Sequence, residues 1–174
     1  MDVLVGYASA HGSTREIAER AADVLRRAGL MTEARPLAEV DDADAYRAFV
    51  LGSAVHNQSW LAPARDFVRD HHDLLGSRPL WIFSVGMPAA LRGPMRRWVA
   101  KEVPAIEAGL PAVPAFRSHR LFSGVVTPDQ LPRSGRVLFR LFGGQYGDHR
   151  DWDAVERWAA GIADELAHER RPGS

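Results

Sequence analysis

The chain has 174 residues, with 22 basic and 22 acidic side chains and a formal net charge of zero. That is the size of one domain, without the basic surface that non-specific nucleic-acid binding requires. Zero cysteines exclude disulfides, thiolate metal ligands and thiol redox chemistry together, so any electron transfer needs a bound organic cofactor. No apolar run approaches the roughly 20 residues of a membrane span, and no signal-peptide pattern precedes the first strand. Composition therefore predicts a soluble, cytoplasmic protein.

Residues 3–8 read as a buried strand, followed by a small-residue turn, Ser9-Ala-His-Gly-Ser-Thr14. Apolar residues then fall at Ile17, Ala21, Val24, Leu25 and Ala28, which is helical spacing, with Gly29 as its stop. Met31–Arg35 is expected to be a short second strand, and Phe49–Ser53 a third that ends in the loop Ala54–Trp60. Leu61–Leu75 is helical, with Ala64, Phe67, Val68, Leu74 and Leu75 on one face. Leu80–Val85 is the fourth strand, and the small residues from Gly86 to Ala90 form its loop. Pro94 to Ile106 reads as a helix through Met95, Trp98, Val99, Val103 and Ile106. Arg120–Val126 is the fifth strand, and Trp152–His168 the last helix, burying Val155, Trp158, Ala159, Ile162 and Leu166.

Strands alternating with helices call for an α/β fold in which helices cover both faces of a parallel sheet. Five strands fit the order 2-1-3-4-5, a three-layer sandwich that brings the loops after strands 1, 3 and 4 to one carboxyl edge. One domain over residues 1–170 is expected, with 171–174 as a frayed tail. The connection from Thr127 to Asp151 is an insertion, longer than the two to roughly eight residues of an ordinary connection.

The chemistry of those three loops is specific in kind. The turn after strand 1 places three hydroxyls and a glycine beside the free amides of a helix N-terminus, a setting that holds a phosphate dianion without lysine or metal. It lacks the Gly-Lys-Ser/Thr of a nucleoside-triphosphate loop and the Gly-x-Gly-x-x-Gly of dinucleotide enzymes. The plainer alternative is an ordinary strand-to-helix turn capped by Ser13 or Thr14. In the loop after strand 3, Trp60, His56 and Asn57 are the residue types that stack on and hydrogen-bond a flat heteroaromatic ring. Trp60 is equally a hydrophobic staple for the next helix. Around strand 4, Ser84, Val85 and Gly86 are small enough for backbone contact with a ring edge, or simply for a tight connection. The adjacent His71 and His72 cannot share a metal at helical spacing, and no acidic cluster accompanies them, so no metal site is expected.

The insertion carries Arg133, Arg136 and Arg140 opposite Val137, Leu138, Leu141 and Phe142 if helical. Two readings stay open: a helix packed on the body of the domain, or a surface element over 133–142 that meets a membrane or an apolar, carboxylate-bearing substrate.

The turn Ser9–Thr14 resembles the phosphate loop of flavodoxins. Taken with Gly12-x-Thr14-Arg-Glu-Ile-Ala18, Phe67-Val68, Ser84-Val85, Phe142-Gly-Gly144, Asp148-x-Arg150 and Asp151-Trp152, the chain is similar along nearly its whole length to one flavodoxin branch, the menaquinone-dependent protoporphyrinogen oxidases. The resemblance implies FMN as cofactor and the six-electron oxidation of protoporphyrinogen IX with a quinone acceptor, at the inner membrane face. It implies phosphate contacts from Ser9, Ala10, His11, Gly12, Ser13 and Thr14, and ring contacts from Ser53, Ala54, Val55, His56, Asn57, Trp60, Ser84, Val85 and Gly86. The charge pattern adds Arg92, Arg136 and Arg140 (with Arg96 and Arg133 beside them) as partners for substrate propionates. His11, Ala10 and Asn57 depart from the family pattern. Two other readings accompany this one: a generic FMN electron carrier or small quinone reductase, and an FMN-free binding module. The carrier reading is at odds with a neutral chain, since carriers normally present an acidic face to their reductases. Oligomeric state is left open.

Overall fold

A strand that is apolar at nearly every position must bury both faces, and the first strand does so along its whole length. The computed structural model describes residues 1–56, 59–86, 113–127 and 146–169. In chain order its elements are β1 (Val3–Ala8), α1 (Ser13–Arg27), β2 (Thr32–Pro36), β3 (Ala48–His56), β4 (Ser59–Trp60), α2 (Ala62–Asp70), α3 (His72–Gly76), β5 (Leu80–Gly86), β6 (His119–Ser123), β7 (Val125–Val126), β8 (Gly147–Asp148) and α4 (Trp152–Glu169). Short 3-10 turns at Leu37–Glu39 and Ala43–Ala45 join β2 to β3.

The parallel strands run β2-β1-β3-β5-β6, which is the expected 2-1-3-4-5 order once the short β4 is set aside. β4 folds back antiparallel on the end of β3, pairing Val55 with Trp60 and His56 with Ser59. The segment expected as an open loop is therefore partly a hairpin, and β3 continues through His56 rather than ending at Ser53.

Side-chain alternation divides the core in two. Val3, Val5, Tyr7, Val50, Trp81, Phe83 and Val85 face α1 and α4, meeting Ile17, Ala18, Leu25, Trp158, Ala159 and Ile162. Leu4, Phe49, Leu51, Leu80 and Ile82 face the opposite side, meeting Ala64, Phe67, Val68 and Leu75 of α2 and α3. Each fully buried aliphatic or aromatic side chain contributes roughly 1.5–3 kcal/mol relative to exposure.

Helix α1 ends where Gly29 was expected to end it. Gly29 (φ 86) directs its N–H to Arg26 O (2.9 Å), and Leu30 N–H reaches back to Leu25 O (3.1 Å). Leu25 and Leu30 are both buried, which completes a Schellman stop with its hydrophobic contact. The single helix expected over 61–75 is broken at His71, whose φ of −116 and ψ of 22 interrupt the helix. His71 Nδ1 lies 3.0 Å from Phe67 O and its ring stacks on Phe67 at 4.3 Å. At the other edge, the expected fifth strand divides at Gly124. Its second part, β7, leaves the main sheet and pairs antiparallel with β8.

The helix expected over 94–106, the greater part of the insertion and the tail from 170 lie outside the described residues. Among the described residues no helix is long and apolar enough to cross a membrane, and no group of three or more potential metal ligands occurs.

Candidate functional site

The strand register brings the three loops together. Ala8 of β1 is opposite Ser53 of β3, Ser53 opposite Ser84 of β5, and Gly86 opposite Ser123 of β6, all at the carboxyl ends. Above this row sits the turn after β1. Its apex, Gly12, has φ 93 and ψ −26 and is the N-cap of α1. Ser13 and Thr14 are thus the first helical residues, not the cap expected in the plainer reading.

The turn is closed by the Ser9 hydroxyl, which accepts the Gly12 N–H (3.0 Å). The first helical hydrogen bond runs from Glu16 N–H to Gly12 O (3.0 Å). The amides of Ser13, Thr14 and Arg15 precede it and have no acceptor within the helix. Thr14 is 1% exposed. Ala10 and His11 are exposed on the rim of the turn. The Ser13 hydroxyl is committed elsewhere, since it accepts the N–H of Val125 (3.1 Å). Gly124 makes this possible: a Cβ there would lie 3.1 Å from Val85 and 3.3 Å from Ser13.

A cleft of about 390 Å³ opens beside the turn, lined by Tyr7, Ser9, Gly12, Arg15, Leu61 and Pro63 among others. Burial raises the Tyr7 phenol above its ordinary pKa, with Glu19 adding to the effect.

At the middle of the edge the side chains turn inward. Ser53 and Ser84 are fully buried. The Ser53 hydroxyl donates to Ala54 O (2.8 Å) and accepts Leu61 N–H (3.0 Å). Trp60 is 2% exposed, packed among the residues facing α2, and its indole N–H donates to Ser84 Oγ (2.8 Å). An indole N–H only donates, so the Ser84 O–H is left for His119 Nε2 at 2.9 Å. Trp60 is thus part of the core on the α2 face, with its indole tied to Ser84. Ala54, Val55 and Gly86 are half-buried on the edge, Val85 is buried, and His56 is exposed at the end of β3.

Replacing Ser84 by alanine leaves a buried indole N–H without an acceptor. A loss of about 1–2 kcal/mol in urea unfolding is expected, and an unchanged midpoint would contradict the role given to this hydroxyl.

Sequence reasoning missed a charged cluster on the other flank of the turn. Arg150 is 11% exposed. Its Nε and Nη2 grip Asp148 Oδ1 and Oδ2 at 2.8 and 2.6 Å, and its Nη1 contacts Glu16 Oε2 in the first turn of α1. The guanidinium stacks on Trp152 at 4.6 Å. The hydrogen bonds from Arg150 hold the Asp148 carboxyl below its usual range, and those to Asp148 and then Glu16 raise the guanidinium above its own. The signal was present as Asp148-x-Arg150, yet nothing in the local sequence pairs that motif with Glu16. Asn57, Arg92, Arg96, Arg133, Arg136 and Arg140 lie outside the described residues.

Comparison with known proteins agrees with this geometry. A family model described as a flavodoxin domain matches residues 4–143. An archaeal flavodoxin superposes with a TM-score of 0.58 at 15% identity, over 97% of this chain and 100% of its own. Flavodoxin 2 from Bacillus cereus gives 0.55 at 16% identity, over 97% and 99%. Rubredoxin:oxygen oxidoreductase from Desulfovibrio gigas gives 0.60 at 16% identity, covering 98% of this chain and 37% of that larger one. No curated relative matches the sequence.

Flavodoxin domains take FMN, and the donor set fits its phosphate: a left-handed glycine, three helix-start amides, and the Ser9 and Thr14 hydroxyls. With more than half of its length matched, the chain belongs to the flavodoxin-domain family, and its cofactor is FMN.

Proposed function

We propose that the protein is an FMN-dependent redox protein of the flavodoxin type, acting as an electron carrier or small quinone reductase. The observation that carries this reading is the turn Ser9–Gly12 at the carboxyl end of β1, with Gly12 held at φ 93 at the start of α1, where the first amides have no acceptor within the helix. Ser9, Ala10, His11, Gly12, Ser13 and Thr14 would surround the phosphate, mainly through the backbone. The backbone of Ser53–His56 and Ser84–Gly86 would border the ring, with exposed His56 available beside it. Bound there, FMN supplies one- and two-electron transfer, and the chain supplies position and field. The partner is a small molecule or a redox protein, not nucleic acid, because the formal charge is zero.

Protoporphyrinogen oxidation with a quinone acceptor is the second reading. It is favoured by the way the insertion is anchored. β7 and β8 pair with each other beside α1, so both ends of the intervening segment are fixed next to the cofactor turn. A peripheral membrane contact through 133–142 belongs to that reading.

The test is anaerobic. Photoreduced FMN-loaded protein is mixed with a menaquinone analogue, and the oxidised form separately with protoporphyrinogen IX and an excess of that quinone as electron acceptor. Rapid reoxidation by the quinone without porphyrin formation is expected. Catalytic appearance of the porphyrin Soret band would establish the oxidase reading, and no reaction in either arm would leave an electron carrier that serves a protein partner.

A further inference from the structure

A carboxylate in the first turn of a helix stabilises that helix, but it opposes a dianion bound at the same terminus. Glu16 creates this conflict. It stands in the first turn of α1, and its Oε1 lies 3.9 Å from a Cβ built on Gly12. The carboxylate therefore lies beside the apex of the turn.

The structure answers the conflict with Arg150. Its guanidinium reaches Glu16 Oε2 from across the chain while three other constraints fix it: two hydrogen bonds to Asp148 and the face of Trp152. Arg20 also lies over the Trp152 ring at 5.3 Å, and is itself paired with Glu156 at 3.1 Å. A guanidinium with an 11% exposed side chain, bonded through Nε, Nη1 and Nη2, is built for one geometry. A surface ion pair of median worth has no such scaffold.

Resting on the FMN reading, we propose that Arg150 is a positioning residue of the phosphate site. It acts through Glu16, whose carboxylate it holds and partly offsets, so that the carboxylate opposes the phosphate at the start of α1 less than it would alone. Asp148 and Trp152 keep the guanidinium aimed at Glu16.

Fluorescence titration with FMN and with riboflavin, which lacks the phosphate, tests this on the unaltered protein and on Arg150→Met. FMN affinity is expected to fall about fivefold, the upper end of what one charge in a first helical turn contributes, with riboflavin affinity unchanged. Adding Glu16→Gln to Arg150→Met is expected to restore FMN affinity. An equal loss for both flavins with no rescue would make Arg150 a purely structural residue and overturn the proposal. If Arg150→Met does not fold, Glu16→Gln alone decides. FMN affinity within about twofold of the unaltered protein is expected, because Arg150 already offsets much of that carboxylate's field. A gain of about fivefold or more would show an uncompensated carboxylate and overturn the proposal. No quenching by the unaltered protein would overturn the cofactor reading itself, and this inference with it.

Discussion

Gly52→Ala is expected to lower the stability of the protein by about 3 kcal/mol, the upper end of the usual overpacking cost. A Cβ at position 52 would lie 2.0 Å from Phe83 Cζ and 2.2 and 2.4 Å from its two Cε atoms, in the midst of a ring and not at the end of a flexible chain. The ring has nowhere to go. Phe83 is fully buried, with Trp158 edge-on at 5.8 Å and Phe122 tilted against it at 6.1 Å. Moving it would disturb all three aromatics that seat α4 on the sheet. Gly161→Ala in α4 is the matched control, since nothing lies within 4 Å of its Cβ position and a helical glycine gains up to about 1 kcal/mol on becoming alanine. Urea unfolding of the two variants should shift in opposite directions. A Gly52→Ala midpoint equal to that of the unaltered protein would refute the packing described.

Gly12→Val is expected to weaken FMN binding by about tenfold or more while costing about 1–2 kcal/mol of stability, the cost of placing a side chain in left-handed backbone. The φ of 93 is unfavourable for any residue with a Cβ and worst for a β-branched one. Space is not the obstacle, because Glu16 comes no nearer the Cβ position than 3.9 Å. The strain is relieved by rotating the peptide at the apex, which breaks the Gly12 N–H to Ser9 contact and turns the first α1 amides away from the turn. Binding should therefore fall much further than stability. Flavin titration beside urea unfolding separates the two, and equal affinity in Gly12→Val would show that the turn does not hold the phosphate.

The sheet was legible because its signals are local. Runs such as Val3–Val5 and Leu80–Phe83 are apolar on both faces, and Gly29 announces the end of α1, so a parallel sheet followed from alternation and its order from the common doubly wound pattern. The boundaries that were missed depend on distant partners. Nothing near Ala54 indicates that β3 continues, since its extension exists only because Ser59–Trp60 folds back on it. The break at His71 depends on the ring lying over Phe67, a contact invisible to periodicity.

The site divides the same way. The turn between β1 and α1 was readable from residue type and position, because small residues and a glycine between an apolar strand and an amphipathic helix mark such a turn. Trp60 was readable as an aromatic but not as a buried one. Its burial follows from Ser84, 24 positions away, accepting the indole N–H. The pairing of Glu16 with Arg150 spans 134 positions, and no local pattern encodes it.

Flavin titration of the purified, cofactor-stripped protein tests the central claim most directly. FMN fluorescence should be quenched to one equivalent, with riboflavin binding more weakly because it cannot engage the turn at Gly12. FMN left fully fluorescent by a protein whose circular dichroism shows the folded α/β domain would contradict the account.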